Sequence, residues 1–140
     1  MGRINFARVL VGGLFAGVII NASEYVLNEM VVREQMEAAL AALNKPPVDP
    51  SMIIWFVILS FGFGFILVWT YAAIRPRFGP GVKTALCASL LCWGLGYLFP
   101  NLFFIVMNLF PRSLMIFTTI WGLVEVVIAG IAGAWAYTET

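Results

Sequence analysis

Four long apolar stretches, separated by short polar clusters, set the pattern of the chain. They run over about residues 5–28, 52–74, 82–109 and 113–137. At a helical rise of about 1.5 Å per residue, each is long enough to cross about 30 Å of hydrocarbon. Strands of a membrane barrel would alternate polar and apolar positions over about ten residues, and these stretches do not. Helices satisfy their own backbone hydrogen bonds where no water reaches, so helices are expected. The predicted fold class is all-α: a single domain over residues 1–140, an integral membrane bundle of four transmembrane helices.

The polar clusters predict the connections. Over residues 30–43, Val32, Met36, Ala39, Leu40 and Leu43 recur at helical spacing, with Arg33, Glu34 and Glu37 away from that stripe. This predicts a short amphipathic outer helix between the first two spans, resting on the membrane surface or on a partner. Pro46, Pro47 and Pro50 stiffen the return, and Ser51 is expected to cap the second span. Residues 75–83, Arg-Pro-Arg-Phe-Gly-Pro-Gly-Val-Lys, predict a tight basic turn: two prolines stop the second helix and two glycines let the chain reverse. Arg75, Arg77 and Lys83 are expected to contact lipid headgroups there.

Polar groups inside apolar spans are costly and need a reason. In the first span Gly13, Gly17, Asn21, Glu24 and Asn28 fall within about 80° of one another at 100° per residue. In the fourth, Thr118, Gly122, Glu125, Ala129, Ala132, Gly133 and Ala136 share an arc of about 100°. Each helix therefore carries a narrow face of small residues with one carboxyl group set in it. Gly13, Gly17, Gly122 and Gly133 are the expected packing positions, because small residues let helices approach closely. Counted from the outer ends of the spans, Glu24 lies about 8 Å deep, Asn21 about 12 Å, Asn101 about 14 Å and Glu125 about 18 Å. Asn21, Glu24, Asn101 and Glu125 are the candidate intramembrane polar cluster. A carboxyl group as deep as Glu125 is expected to hold its proton unless water or a cation reaches it, while Glu24 is expected to be wetter and paired with Arg112 or Arg33. Pro100 removes a helix hydrogen bond and is expected to kink the third span, helped by Gly94 and Gly96. Trp93 and Trp121 are expected to serve packing.

Composition agrees with a bilayer as solvent. The chain is 62% hydrophobic and 11% charged, against about 25% charged in soluble domains. A soluble fold of 140 residues would leave about a third of its unfolded surface exposed, too much for this sequence. Arg3 and Arg8 before an apolar run imitate a signal peptide. Asn21, Glu24 and Asn28 stand where a cleavage site would fall, so the segment is read as a retained span. Basic residues set the expected orientation: Arg3, Arg8, Arg75, Arg77 and Lys83 on one side, Arg33, Lys45 and Arg112 on the other. Five against three places both termini in the cytoplasm.

A net charge of +1 offers no basic patch for nucleic acid. There is no histidine, which removes the commonest metal ligand and the usual base near neutral pH. Cys87 and Cys92 are about 140° apart on a helix, so no disulfide or metal clip is expected. No phosphate loop or nucleophile–base pair is present. No cofactor, no metal and no catalytic residue are expected, and the chain is not read as an enzyme.

Gly12-Gly13-x-x-Ala16-Gly17 with Asn21-x-x-Glu24, Trp69-x-Tyr71-Ala72-Ala73-Ile74-Arg75-Pro76-Arg77-Phe78-Gly79-Pro80-Gly81, and Trp121-Gly122-Leu123-Val124-Glu125 with Ala132-Gly133-Ala134-Trp135 are the most distinctive runs. In these the chain resembles a bacterial family of small four-helix inner-membrane proteins to which no activity is assigned. The resemblance implies a multi-pass protein of the bacterial inner (cell) membrane. Small multidrug-resistance transporters also have four short helices and a glutamate in the first, but Glu24 sits too near the far end of that span and the outer loop is too long. The arginine-asparagine-glutamate signature of the four-helix eicosanoid and glutathione enzymes is missing from the second span. The leading functional expectation is a non-catalytic accessory or structural subunit of a larger inner-membrane assembly. The alternatives are a small oligomeric transporter or channel using its intramembrane carboxylates, and a lipid-binding or lipid-modifying protein. The expected partners are membrane lipids and either other membrane subunits or further copies of the chain.

Overall fold

Asn5 starts the first helix by accepting the Arg8 amide on its side-chain oxygen at 3.1 Å. From there the computed structural model, which describes residues 2–139, is helical and has no strand among the described residues. Six α-helices follow one another: α1 Phe6–Val26, α2 Arg33–Ala42, α3 Ile53–Phe78, α4 Val82–Trp93, α5 Phe99–Val106 and α6 Arg112–Ala136. A π turn, Leu27–Val31, extends α1, and another, Gly94–Leu98, joins α4 to α5 without a break. The result is four helical rods, Phe6–Val31, Pro50–Phe78, Val82–Val106 and Arg112–Ala136, each long and apolar enough to cross a membrane.

The rod ends differ from expectation in ways that have local causes. Asp49, not Ser51, caps the entry to α3, accepting the Ser51 amide at 2.8 Å above the short 3-10 turn Pro50–Met52. The Ser51 hydroxyl and amide together hold the Asp49 carboxyl below its ordinary range. Helix α3 does not stop at Pro76, the first of the two prolines expected to end it. It runs through Pro76, whose missing N–H falls in the last turn, and ends at Phe78. The reversal is confined to Gly79-Pro80-Gly81, where Gly79 and Gly81 adopt φ of +83° and +116° that other residues resist. Two bonds fasten this turn: the Gly81 amide to Tyr71 Oη at 3.1 Å, and Thr84 Oγ1 to the Gly79 carbonyl at 2.6 Å. Asn44 and Asn108, both left-handed, close α2 and α5, and the next amide bonds back to Leu40 or Phe104.

Glycines decide how the rods cross. Gly64 of α3 lies against the backbone of α1: a Cβ there would stand 2.7 Å from the Gly17 nitrogen and 2.8 Å from the Gly13 oxygen. On the other side, Gly13 and Gly17 abut Phe65 and Phe61 of α3. Gly12 meets Gly133 of α6, where a Cβ would come within 2.6 Å of the Gly133 carbonyl. Helix α1 is thus clasped between α3 and α6, with Ala16, Leu67, Val126 and Ala129 fully buried. The small face of α1 turns as much to α3 as to α6. Large apolar side chains such as Leu10, Ile54, Leu95 and Trp135 point outward instead. A surface so rich in them is expected of a protein solvated by lipid.

The two ends of the bundle differ. At one, α2 folds over the rods and buries Val32 and Ala39 against Leu27, Leu114 and Met115. Its charged face stays outside, where Arg33 pairs with Glu29 at 3.3 Å and Glu37 at 3.1 Å. At the terminal end, Arg75 pairs with Glu139 at 2.8 Å and lies over the Tyr137 ring. Arg75 is therefore turned inward onto the chain, whereas Arg77 and Lys83 are exposed. Tyr137 accepts the Asn5 amide at 3.2 Å, which ties the start of the first rod to the end of the last.

Candidate functional site

Pro100 shapes the site from a distance. It has no N–H to give the carbonyl four residues earlier, and the preceding turn widens so that the Phe99 amide bonds to Gly94. The expected kink is therefore a π turn that carries Tyr97. The Tyr97 ring packs edge-on to Phe63 and lies against Gly122, where any Cβ would strike it. With that slot open, its hydroxyl reaches between α1 and α6.

Two carboxyl groups meet there. Tyr97 Oη lies 2.6 Å from Glu125 Oε1 and 3.2 Å from Glu24 Oε1. Glu125, in the middle of α6, is only 3% exposed; Glu24, near the end of α1, is half-buried. The second oxygen of Glu125 accepts from Ser23 Oγ at 2.6 Å, and Ser23 in turn accepts from Trp121 Nε1 at 2.9 Å. The second oxygen of Glu24 accepts from Asn28 Nδ2 at 3.0 Å. Trp121 can only donate, so it fixes the direction of the Ser23 bond.

A count of hydrogens constrains the centre. Tyr97 has one hydroxyl hydrogen and two carboxyl oxygens in reach. The two contacts are separate hydrogen bonds, rather than one hydrogen shared, only if one carboxyl group carries a proton and donates it to the tyrosine oxygen. Two arrangements satisfy every atom. Either Glu125 holds the proton and Tyr97 donates to Glu24, or Glu24 holds it and Tyr97 donates to Glu125. Passing from one to the other moves two hydrogens, one along the short contact of 2.6 Å and one along the longer contact of 3.2 Å. The pair has a buried end at Glu125 and a more exposed end at Glu24.

The more exposed end opens on a cavity of about 300 Å³ beneath α2. Glu24, Asn28 and Asn101 line it with Phe104, Phe110 and Met115. A larger groove of about 850 Å³ runs between α2 and the α5–α6 turn, but its one charged lining residue is Arg112 and it touches neither carboxyl group. The smaller cavity is the one with chemistry at its floor.

The four residues singled out in the sequence thus have different fates. Glu24 and Glu125 come together through Tyr97. Asn101 stands on the cavity wall, bonding to Thr119 Oγ1 at 2.7 Å and Thr118 Oγ1 at 3.3 Å. Asn21 donates to the Gly17 carbonyl of its own helix at 2.9 Å and to the Val57 carbonyl of α3 at 3.5 Å, away from the carboxyl pair. Glu24 takes neither of the arginines expected for it, since Arg33 is spent on Glu29 and Glu37. Trp93 and Trp121 are more than packing: Trp93 donates to the Thr119 carbonyl at 2.9 Å, and Trp121 anchors Ser23. No protein-family model, no curated protein and no solved structure matches the chain.

Proposed function

We propose that this is a four-span protein of the bacterial inner membrane that works as a small oligomeric transporter, using Glu24, Tyr97 and Glu125 to exchange a proton or cation with the outer side. The observation that carries this reading is the shared hydroxyl: two carboxyl groups on different helices, one buried and one facing a cavity, both on Tyr97 Oη. Ionisable groups that face a bundle interior or a cavity in a membrane mark ion pathways and proton relays. The accessory-subunit reading draws on small-residue faces, an outer amphipathic helix and the lack of cofactor ligands. In the chain those faces meet α3, the Tyr97 ring and one another, so they favour no outside partner.

Both termini lie in the cytoplasm under this proposal, and α2 lies outside, following the five-to-three basic bias. Arg77 and Lys83 then face inner-leaflet headgroups. Reporter fusions at the C-terminus and within residues 44–50 are expected to report opposite sides, with the C-terminal one inside. The mass of the detergent-solubilised native particle tests the functional class. A particle built of this chain alone supports the transporter. A particle in which larger foreign subunits co-purify in fixed ratio contradicts it and returns the accessory role.

A further inference from the structure

The cavity above Glu24 has a composition that selects among cations. Its volume of about 300 Å³ is at the lower end for small-molecule sites, far more than a bare ion needs. Phe104, Phe110 and Met115 supply apolar walls, and Glu24, Asn28 and Asn101 supply polar groups, with the hydroxyls of Tyr97 and Thr118 already spent on the carboxyl pair and on the Met115 carbonyl. Both amide nitrogens are already engaged. Asn28 Nδ2 serves the Glu24 side chain and its carbonyl at 3.0 and 2.8 Å, and Asn101 Nδ2 serves Thr118 and Thr119. What remains for a ligand is the amide oxygens and a carboxylate, all acceptors. A ligand suited to them brings positive charge, several N–H donors and an apolar body.

We infer that the cavity binds a protonated primary amine with a small aromatic or aliphatic body, its ammonium group on Glu24 and the amide oxygens of Asn28 and Asn101, its body against Phe104, Phe110 and Met115. This rests on the ion-exchange reading and names the substrate class of that site. The ammonium takes over the charge of Glu24, Tyr97 donates to Glu24, and the shared proton stays on Glu125. The other ionisable groups near this end are occupied or outside: Arg33 is paired with Glu29 and Glu37, Arg112 is exposed at the start of α6, and α3 has no ionisable side chain between Ile53 and Ile74 but Tyr71, which lies toward the terminal end.

Calorimetry on the full chain in lipid nanodiscs tests it with three probes of one shape. These are phenethylammonium, its N-trimethyl derivative and uncharged propylbenzene. The expected order is phenethylammonium first, the trimethyl derivative about tenfold weaker for want of N–H donors, and no saturable binding of propylbenzene. Glu24→Gln should weaken phenethylammonium at least about tenfold, and Phe104→Ala should weaken it too while its helical circular dichroism stays that of wild type. Equal binding of the primary and trimethyl cations, or saturable binding of propylbenzene, overturns the inference. So does the absence of binding by any probe. If the carboxyl pair nevertheless shows its shared proton by infrared spectroscopy, only the substrate class falls; if that proton is missing as well, the ion-exchange reading falls with it.

Discussion

Gly64→Leu should lower the unfolding temperature sharply. The position has no room for even one carbon, because a Cβ would sit 2.7 Å from a backbone nitrogen and 2.8 Å from a backbone oxygen of α1. Backbone cannot rotate away as a side chain does, so α1 and α3 would have to separate. Overpacking of a well-packed site ordinarily costs about 1–3 kcal/mol, and a leucine against backbone falls at or beyond the upper end. The crossing also seats Gly13 and Gly17, so the loss spreads along the whole α1–α3 seam. Gly62, two residues earlier, has open space around it, and Gly62→Leu is the matched control. Thermal unfolding in detergent should separate the two by well over ten degrees, with the control near wild type. Equal stability of both variants would show that α1 and α3 do not meet at Gly64.

The second large effect is on proton transfer rather than on folding. Tyr97→Phe keeps the ring that packs on Phe63 and Gly122 and removes only the hydroxyl that links the two carboxyl groups. The fold should survive, since Ser23 still serves Glu125 and Asn28 still serves Glu24. Exchange between Glu125 and water should slow by about a hundredfold or more, the usual contribution of a positioned proton-transfer group. Infrared spectroscopy after a pH jump follows this rate directly. An unchanged rate in the variant would mean that Glu125 reaches water by another route.

Most of the architecture is legible in the sequence because it follows from composition and period. Long apolar runs give four rods, and the glycines of residues 75–83 give the turn after the second. The left-handed Asn44 and Asn108 that close α2 and α5 show only in the backbone. The carboxyl pair is half legible. Periodicity places Glu24 and Glu125 each on a small-residue face, but it does not say that a tyrosine stands between them. Tyr97 reaches that place through the π turn before Pro100, and an α-helical wheel drawn through Gly94–Leu98 aims it elsewhere. Ser23 sits beside, not on, the polar stripe of α1, and Trp121 passes for an apolar residue until its indole nitrogen finds Ser23. Arg75 misleads for a different reason. Its local sequence is that of a headgroup contact, and only the return of the chain at Glu139 shows that it is paired. Helix α3 passes Pro76 because a proline in the last turn costs a single bond at a place where the helix is already ending.

Under the proposed function, Glu24 and Glu125 share one proton through Tyr97. Infrared difference spectroscopy of the carboxyl C=O stretch, in lipid and near neutral pH, reads that proton most directly. The expected spectrum has a protonated-carboxyl band in the wild type. The band should be lost in Glu125→Gln and should move to higher frequency in Tyr97→Phe, where a hydrogen bond is gone. A wild-type spectrum with no protonated carboxyl near neutral pH, or a band that neither substitution alters, would contradict the account.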